Sequence, residues 1–288
     1  MNQVLTAMMS RYACKSIADY NNALKEIIQE IALLGLWRSK FFEKAAFYGG
    51  TCLRIMYGLD RFSEDLDFSL LKPDKHFTFT KYLKGVQNEL AAFGFHTTVE
   101  TKKKTKITSI DSAFIKAGTR EQLLTIDVPK KWVERVHSGH VLKIKLEVDI
   151  DPPLDFATEA KTLLLPIPFG VVCYASPDLF AGKLHAVLCR PWKNRVKGRD
   201  YYDLVWHIAH ETPVHLKHLK NRLVQSHAWP QNQNFTRLAM LKLLRSKIEQ
   251  VDFLAAREDV LPFVRDPTSV AIWSKEFFMQ IIERISVK

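Results

Sequence analysis

The stretch Ser63–Leu71, "SEDLDFSLL", alternates acidic with apolar side chains, the period of a strand with one face in a core and the other outside it. Asp65 and Asp67 therefore share one face, and Leu66 and Phe68 the other. Two unit charges about 4 Å apart repel by roughly 1 kcal/mol in water and by about 4 kcal/mol at an effective dielectric of ~20. Such a pair beside a core calls for neutralisation, by a retained proton or by a divalent cation, and carboxylate oxygens suit Mg²⁺ or Mn²⁺. A second stretch, 142–151, "LKIKLEVDID", has the same construction. It sets Lys145, Glu147, Asp149 and Asp151 on one face and Leu146, Val148 and Ile150 on the other. The chain must build a sheet that carries carboxylates on one side.

Just upstream, "AAFYGGT" is a short apolar strand that runs into a glycine turn, and "CLRIMYGL" after it reads as a helix. Gly49 and Gly50 let bare backbone N–H groups at a helix N-terminus approach an anion. Thr51 can cap that helix or donate its hydroxyl to a phosphate oxygen. A phosphate cradle followed at short range by a metal-binding strand places a triphosphate and its magnesium together. Two-metal phosphoryl chemistry wants a third carboxylate. Glu147 is favoured for it, with Asp149 in reserve.

Residues 16–45 carry apolar positions at helical spacing and read as one long helix or two shorter ones broken near Gly35. Residues 76–93 return to that spacing, and "FHTTVE", "TKKKTK" and "ITSIDSAFIK" read as a hairpin with a basic tip. The proline-bearing "LLLPIPFGVV" separates this α/β portion from a mostly helical remainder, with helices expected at 177–189, 199–210, 214–225, 233–250 and 270–285. Ser176 is the expected cap of the first of these, with Pro177 at its first position. The expected organisation is an N-terminal helical segment at 1–45, a core at 46–170 and a helical C-terminal domain at 171–288.

The balance of charge is +11 over 288 residues, which favours polyanionic partners, nucleic acid first. Lys102, Lys103, Lys104 and Lys106, with Arg190, Lys193, Arg195 and Lys197 around Trp192, form two basic loops fit for a phosphate backbone. No apolar run reaches the roughly 20 residues of a membrane span, and no signal peptide is read at the start. The four cysteines are scattered, which suits a reducing cytoplasm and gives no zinc pattern. His207, His210, His215 and His218 read as ordinary helix histidines.

Taken in order, these motifs resemble those of the nucleotidyltransferase-superfamily toxins of the abortive-infection AbiEii type, and are similar to the mycobacterial MenT-type tRNA nucleotidyltransferase toxins. The matching residues are Gly49, Gly50 and Thr51; Arg61, Ser63, Asp65 and Asp67; Lys145 and Glu147; Lys183; and Arg199, Asp200 and Asp203. The resemblance runs from about 45 to 207. It implies an α+β fold, a mixed β-sheet nucleotidyltransferase core with flanking helices plus a helical C-terminal domain. It also implies a Mg²⁺-dependent transfer of a nucleotidyl group from an NTP to an acceptor hydroxyl, often the 3′ end or acceptor stem of tRNA, under the control of an antitoxin.

On that pattern Asp65 and Asp67 bind metal with Glu147. Gly49, Gly50, Thr51, Arg61, Ser63, Lys145 and Asp203 serve the nucleotide, Lys183 neutralises phosphate, and Asp200 orients a partner or acts as a base. Asp200 and Asp203, three apart on one helix face, can equally hold Lys183 in place. Two rival readings remain: a transferase acting on a small molecule or a protein, and a non-catalytic RNA- or partner-binding module on the same fold.

Overall fold

The computed structural model describes residues 3–101, 109–191 and 196–288. The chain forms two compact units, and neither is a single run of sequence. The first comprises Met1–Tyr57, Phe62–Pro152 and Glu159–Cys173; the second comprises Gly58–Arg61, Pro153–Thr158 and Tyr174–Lys288.

The first unit begins with α1 (Gln3–Met9) and α2 (Ile17–Arg38), then a single 3₁₀ turn at Phe41–Glu43. It continues through β1 (Ala45–Tyr48), α3 (Gly49–Tyr57), β2 (Leu66–Leu70), α4 (Thr80–Ala92), β3 (Thr98–Thr101) and β4 (Ile110–Gly118). The short helices α5 (Thr119–Thr125) and α6 (Lys130–Val133) precede β5 (Val141–Asp149), β6 (Thr158–Leu163) and β7 (Phe169–Tyr174). Among the described residues, seven strands form one mixed sheet in the order β3-β4-β5-β2-β1-β7-β6.

β2 lies between β1, its antiparallel neighbour, and β5, its parallel neighbour. Its alternation sorts as the sequence predicts. Leu66, Phe68, Leu146 and Val148 are fully buried. Phe68 meets the Phe41 ring edge-on at 4.9 Å, within a cluster that includes Phe79 and Tyr82.

α2 starts on a capping box, in which Ser16 and Asp19 satisfy each other's backbone N–H groups. It runs unbroken through Gly35, where a break was one of the two expectations. The reason is packing: a Cβ at Gly35 would lie 2.7 Å from the Val86 Cα, so the glycine serves the close crossing of α2 over α4. The expected hairpin is present as β3 paired with β4. Its basic tip lies outside the described residues. The proline-bearing stretch falls between β6 and β7, two strands of the sheet.

The second unit is helical: α7 (Ser176–Cys189), α8 (Gly198–Ala209), α9 (Leu216–Gln225), α10 (Arg237–Ile248), α11 (Phe253–Val260) and α12 (Lys275–Ile281). The cap of α7 is Ala175, one residue earlier than expected, with the proline in the first turn. α8 packs tightly on α11, since a Cβ at Gly198 would collide with the Ala256 carbonyl. Among the described residues, no helix is long and apolar enough to cross a membrane.

Candidate active site

In the first unit the carboxylates gather on one face of the sheet. Asp67 stands opposite Glu147 in the parallel β2–β5 register. In parallel strands opposed residues share a face, and neighbouring strands lie about 4.8 Å apart. Asp149 sits two residues further along β5, opposite the buried Ser69. The register therefore pairs Asp67 with Glu147 rather than with Asp149. Glu147 also accepts a hydrogen bond from Ser112 Oγ at 3.3 Å and an ion pair from Lys145 Nζ at 2.7 Å. Asp65 precedes β2 by one residue and, like Asp67, is only half-buried.

The glycine turn abuts this face. Gly49 has φ +81°, and a Cβ there would lie 2.6 Å from Asp67 Oδ2. Both facts demand glycine: the left-handed backbone and the carboxylate pressed against the turn. α3 starts at Gly49, so the first N–H groups of the helix have no partner within it. Thr51 lies inside α3, and its buried hydroxyl donates to the backbone carbonyl of Asp65. That leaves the Thr51 backbone N–H, not its hydroxyl, as the group able to meet an anion. Ser63 is half-buried, and its carbonyl accepts a hydrogen bond from Gln29.

As they stand, no three His, Cys, Asp or Glu side chains among the described residues close around a common point. The donor set nevertheless suits a hard divalent cation. It offers carboxylate oxygens on, and just before, neighbouring strands, and the Lys145 ammonium already resides on Glu147. A cation bound there would share or displace that lysine.

The other residues of the pattern form a cluster within the second unit. Arg61 is 2% exposed, and its Nε and Nη2 both donate to the Asp203 carboxylate at 2.6 Å. Lys183 Nζ lies 2.9 Å from Asp200 Oδ1 and 2.7 Å from Asp203 Oδ2, and Arg190 reaches Asp200 Oδ2 at 2.6 Å. Burial alone would raise the Asp203 pKa, but Arg61 and Lys183 hold it down at about 2. Burial likewise works against the Lys183 charge, yet Asp200 and Asp203 keep its pKa above the ordinary lysine value.

Sequence reasoning gave Arg61 and Asp203 to the nucleotide. Here they are committed to each other in a buried two-point pair. Of the alternatives open for Asp200 and Asp203, the geometry matches that of holding Lys183. Lys197 stands at the cap of α8, while Lys102, Lys103, Lys104, Lys106, Trp192, Lys193 and Arg195 lie outside the described residues.

Of the four histidines named from the sequence, His207 and His218 are buried, His215 is half-buried and His210 is exposed. His207 is fully buried and stacked on Phe180 at 4.5 Å, and neither ring nitrogen has a hydrogen-bond partner among the described residues. Burial pushes its pKa down to about 3. His218, whose Nε2 accepts from Arg222 at 2.9 Å, is likewise held down at about 3 by burial and then by that guanidinium.

Sequence reasoning missed the groups behind the site. Gln29, on α2, is fully buried and donates through Nε2 to the carbonyls of Ser63 and Glu64, at 3.1 and 2.9 Å. Glu26 takes Arg54 in a two-point pair, and Arg54 in turn stacks 4.8 Å from the Phe62 ring. The only trace of this in the sequence is the run of polar residues on an otherwise apolar helix.

A mixed sheet with a glycine turn into a helix and paired carboxylates on adjoining strands is the core of a nucleotidyltransferase. The model of the nucleotidyl transferase AbiEii toxin family of type IV toxin–antitoxin systems matches residues 31–280, and the chain belongs to that family. Among solved structures, JHP933 from Helicobacter pylori is similar over 90% of both chains, at 17% identity and a TM-score of 0.49. A second H. pylori protein, described provisionally as a nucleotidyltransferase, is similar over 88% of both chains, at 17% identity and a TM-score of 0.44. No curated protein matches the chain.

Proposed function

We propose that this nucleotidyltransferase moves a nucleoside monophosphate from an NTP to a hydroxyl of an RNA, with tRNA as the acceptor that the family resemblance suggests. The observation that carries the reading is the meeting of Gly49, Asp67 and Glu147 on one sheet face.

Asp65, Asp67 and Glu147 would hold Mg²⁺ or Mn²⁺. A bound ion of this kind activates an acceptor hydroxyl and steadies a departing pyrophosphate. The backbone N–H groups of Gly49, Gly50 and Thr51 orient the triphosphate, as the positive end of α3 favours an anion. Lys145, next to Glu147, adds positive charge at the same face. The family resemblance gives Lys183 to phosphate, and Asp200 and Asp203 beside it favour its protonated form. Arg61 and Asp203 support it structurally. Asp200 is a holder of Lys183 and Arg190 rather than a base. A net charge of +11 suits a long polyanionic acceptor better than a cationic small molecule.

The test is incubation of the purified protein with total tRNA, Mg²⁺ and each α-³²P-labelled NTP in turn, beside an Asp67→Ala control. A labelled RNA band that the control lacks supports the reading and identifies the nucleotide. Label on protein moves the acceptor to a protein. No label with any NTP overturns the reading in favour of a binding module.

A further inference from the structure

Residues 58–65 lead into β2 without regular secondary structure of their own. A chain in that state leaves its carbonyls to find partners elsewhere. Immediately before Asp67 they find them in side chains from two different helices. Gln29 Nε2 on α2 takes the carbonyls of Ser63 and Glu64. The Thr51 hydroxyl on α3 takes the carbonyl of Asp65. Three consecutive carbonyls are thus held by two buried side chains. The orientation of the Gln29 amide is fixed, since turning it over would set its oxygen against two carbonyl oxygens. The cost of that orientation is visible: Gln29 Oε1 is buried with no hydrogen-bond partner among the described residues. A group left so is worth about 1–3 kcal/mol of lost stability.

We propose that Gln29 and Thr51 are positioning residues for the metal-binding carboxylates. By fixing the backbone at residues 63–65 they set where Asp65 and Asp67 stand relative to Glu147. The inference rests on the nucleotidyltransfer reading of this face. Neither side chain touches the reacting groups; each acts through the backbone that carries Asp65. Lys25, which pairs with Glu64 at 2.9 Å from the partly exposed side of α2, touches the same segment but only through a side chain. It serves as the comparison.

The experiment is Mn²⁺ binding to the full-length protein, followed by the electron paramagnetic resonance of free Mn²⁺. The variants are Gln29→Met, Thr51→Val, Lys25→Ala and Asp67→Ala, with the KM for NTP measured at saturating metal alongside. Outer groups that orient metal ligands typically change metal affinity by about 10- to 100-fold. Gln29→Met and Thr51→Val are expected to weaken Mn²⁺ binding by about tenfold. Lys25→Ala should leave it unchanged, and in Gln29→Met, whose side chain is not among the groups given to the nucleotide, NTP KM at saturating metal should stay at the wild-type value. Thr51→Val exchanges only the hydroxyl for a methyl group, so it carries the test alone should Gln29→Met not fold.

Wild-type Mn²⁺ affinity in the folded Gln29 and Thr51 variants, with binding lost in Asp67→Ala, would overturn the clamp and leave the metal site standing. Mn²⁺ binding that Asp67→Ala does not alter would overturn the metal reading itself, and the clamp with it.

Discussion

Two pairs of aspartates, Asp65/Asp67 and Asp200/Asp203, have met opposite fates in this chain. The first pair lies at the edge of the sheet unit's core, half-buried, on a face that it shares with Glu147. The second lies inside the helical unit, where Asp203 is fully buried and Asp200 nearly so, with Arg61, Lys183 and Arg190 around them. Buried carboxylates must bring their cations with them as part of the fold. Carboxylates at a boundary can take a cation that arrives from solution. The same residue type, separated by one or two residues in sequence, is therefore enclosed by cations of the fold in one unit and stands half-buried on a sheet face in the other.

The largest effect should come from the buried pair. Asp203→Asn leaves Arg61 and Lys183 without their common carboxylate, and removing one partner of a buried ion pair costs about 3–5 kcal/mol. Denaturant unfolding should show that loss; a change within about 0.5 kcal/mol would mean that the cluster is not what holds Arg61.

Asp67→Asn should do the reverse. Transfer should fall by about a hundredfold or more, on the scale of losing one preorganised electrostatic contact. Stability should hold or rise slightly, because a like-charge repulsion is relieved. Loss of stability in Asp67→Asn would erase the distinction between the two pairs.

Acid should separate the units further. His207 and His218 titrate at about 3 in the fold and His185 at about 4, in each case chiefly because burial disfavours the charged form. An unfolded histidine titrates near 6.5. Below that value the unfolded chain binds protons that the fold refuses, so the contribution of these three histidines to the helical unit's stability is complete above about pH 6.5 and is lost as pH falls toward 3–4.

In the sheet unit Glu30 has the opposite sign. Burial raises it to about 7 against the pull of Arg11, so its contribution is complete below the unfolded value near 4.5 and is lost as pH rises through 7. Amide exchange at pH 7 and pH 5 should show α8 and α9 opening more readily at the lower pH and α2 not doing so. Equal acid sensitivity in both would contradict the assignment.

The smallest effect is expected at Gly49. Gly49→Ala introduces a Cβ at positive φ, costing about 1 kcal/mol, and presses it on the Asp67 carboxylate. Thermal unfolding should register the modest loss, and transfer should fall more than stability does.

Much of the sheet unit was legible because its signals are local. Alternation in 63–71 and 142–151 sorted Leu66, Phe68, Leu146 and Val148 from Asp65, Asp67 and Glu147 without reference to the rest of the chain. The glycine turn announced the start of α3. What alternation does not encode is which strand lies beside which: that Glu147, the favoured carboxylate, and not Asp149 stands opposite Asp67 is seen only in the β2–β5 register. Gly35 looked like a helix break because glycine lowers helix propensity, and only the approach of Val86 reveals the packing that overrides it.

The partners of Arg61 and Gln29 were illegible for another reason. Arg61 and Asp203 are 142 residues apart, and Gln29 lies 34 residues before Ser63. Nothing in either side chain's neighbourhood in sequence names its partner. Lys183 with Asp200 and Asp203 fell between these extremes: the helical spacing of the two aspartates could be read, but not which of their possible duties they perform.

The Arg61–Asp203 pair also bears on how family members of this kind can be recombined. The helical unit takes Gly58–Arg61 from the link between α3 and β2, and with it the guanidinium that neutralises Asp203. A C-terminal half transplanted from one toxin into another would leave its own arginine behind and depend on the recipient to supply an equivalent one. Chimaeras joined near residue 174 should therefore fold best when donor and host agree at this buried contact, and at the lesser ones that Asp60 and Asp155 make with Tyr202 and Asn221, so that the boundary between exchangeable parts is set by side-chain pairing and not by a linker.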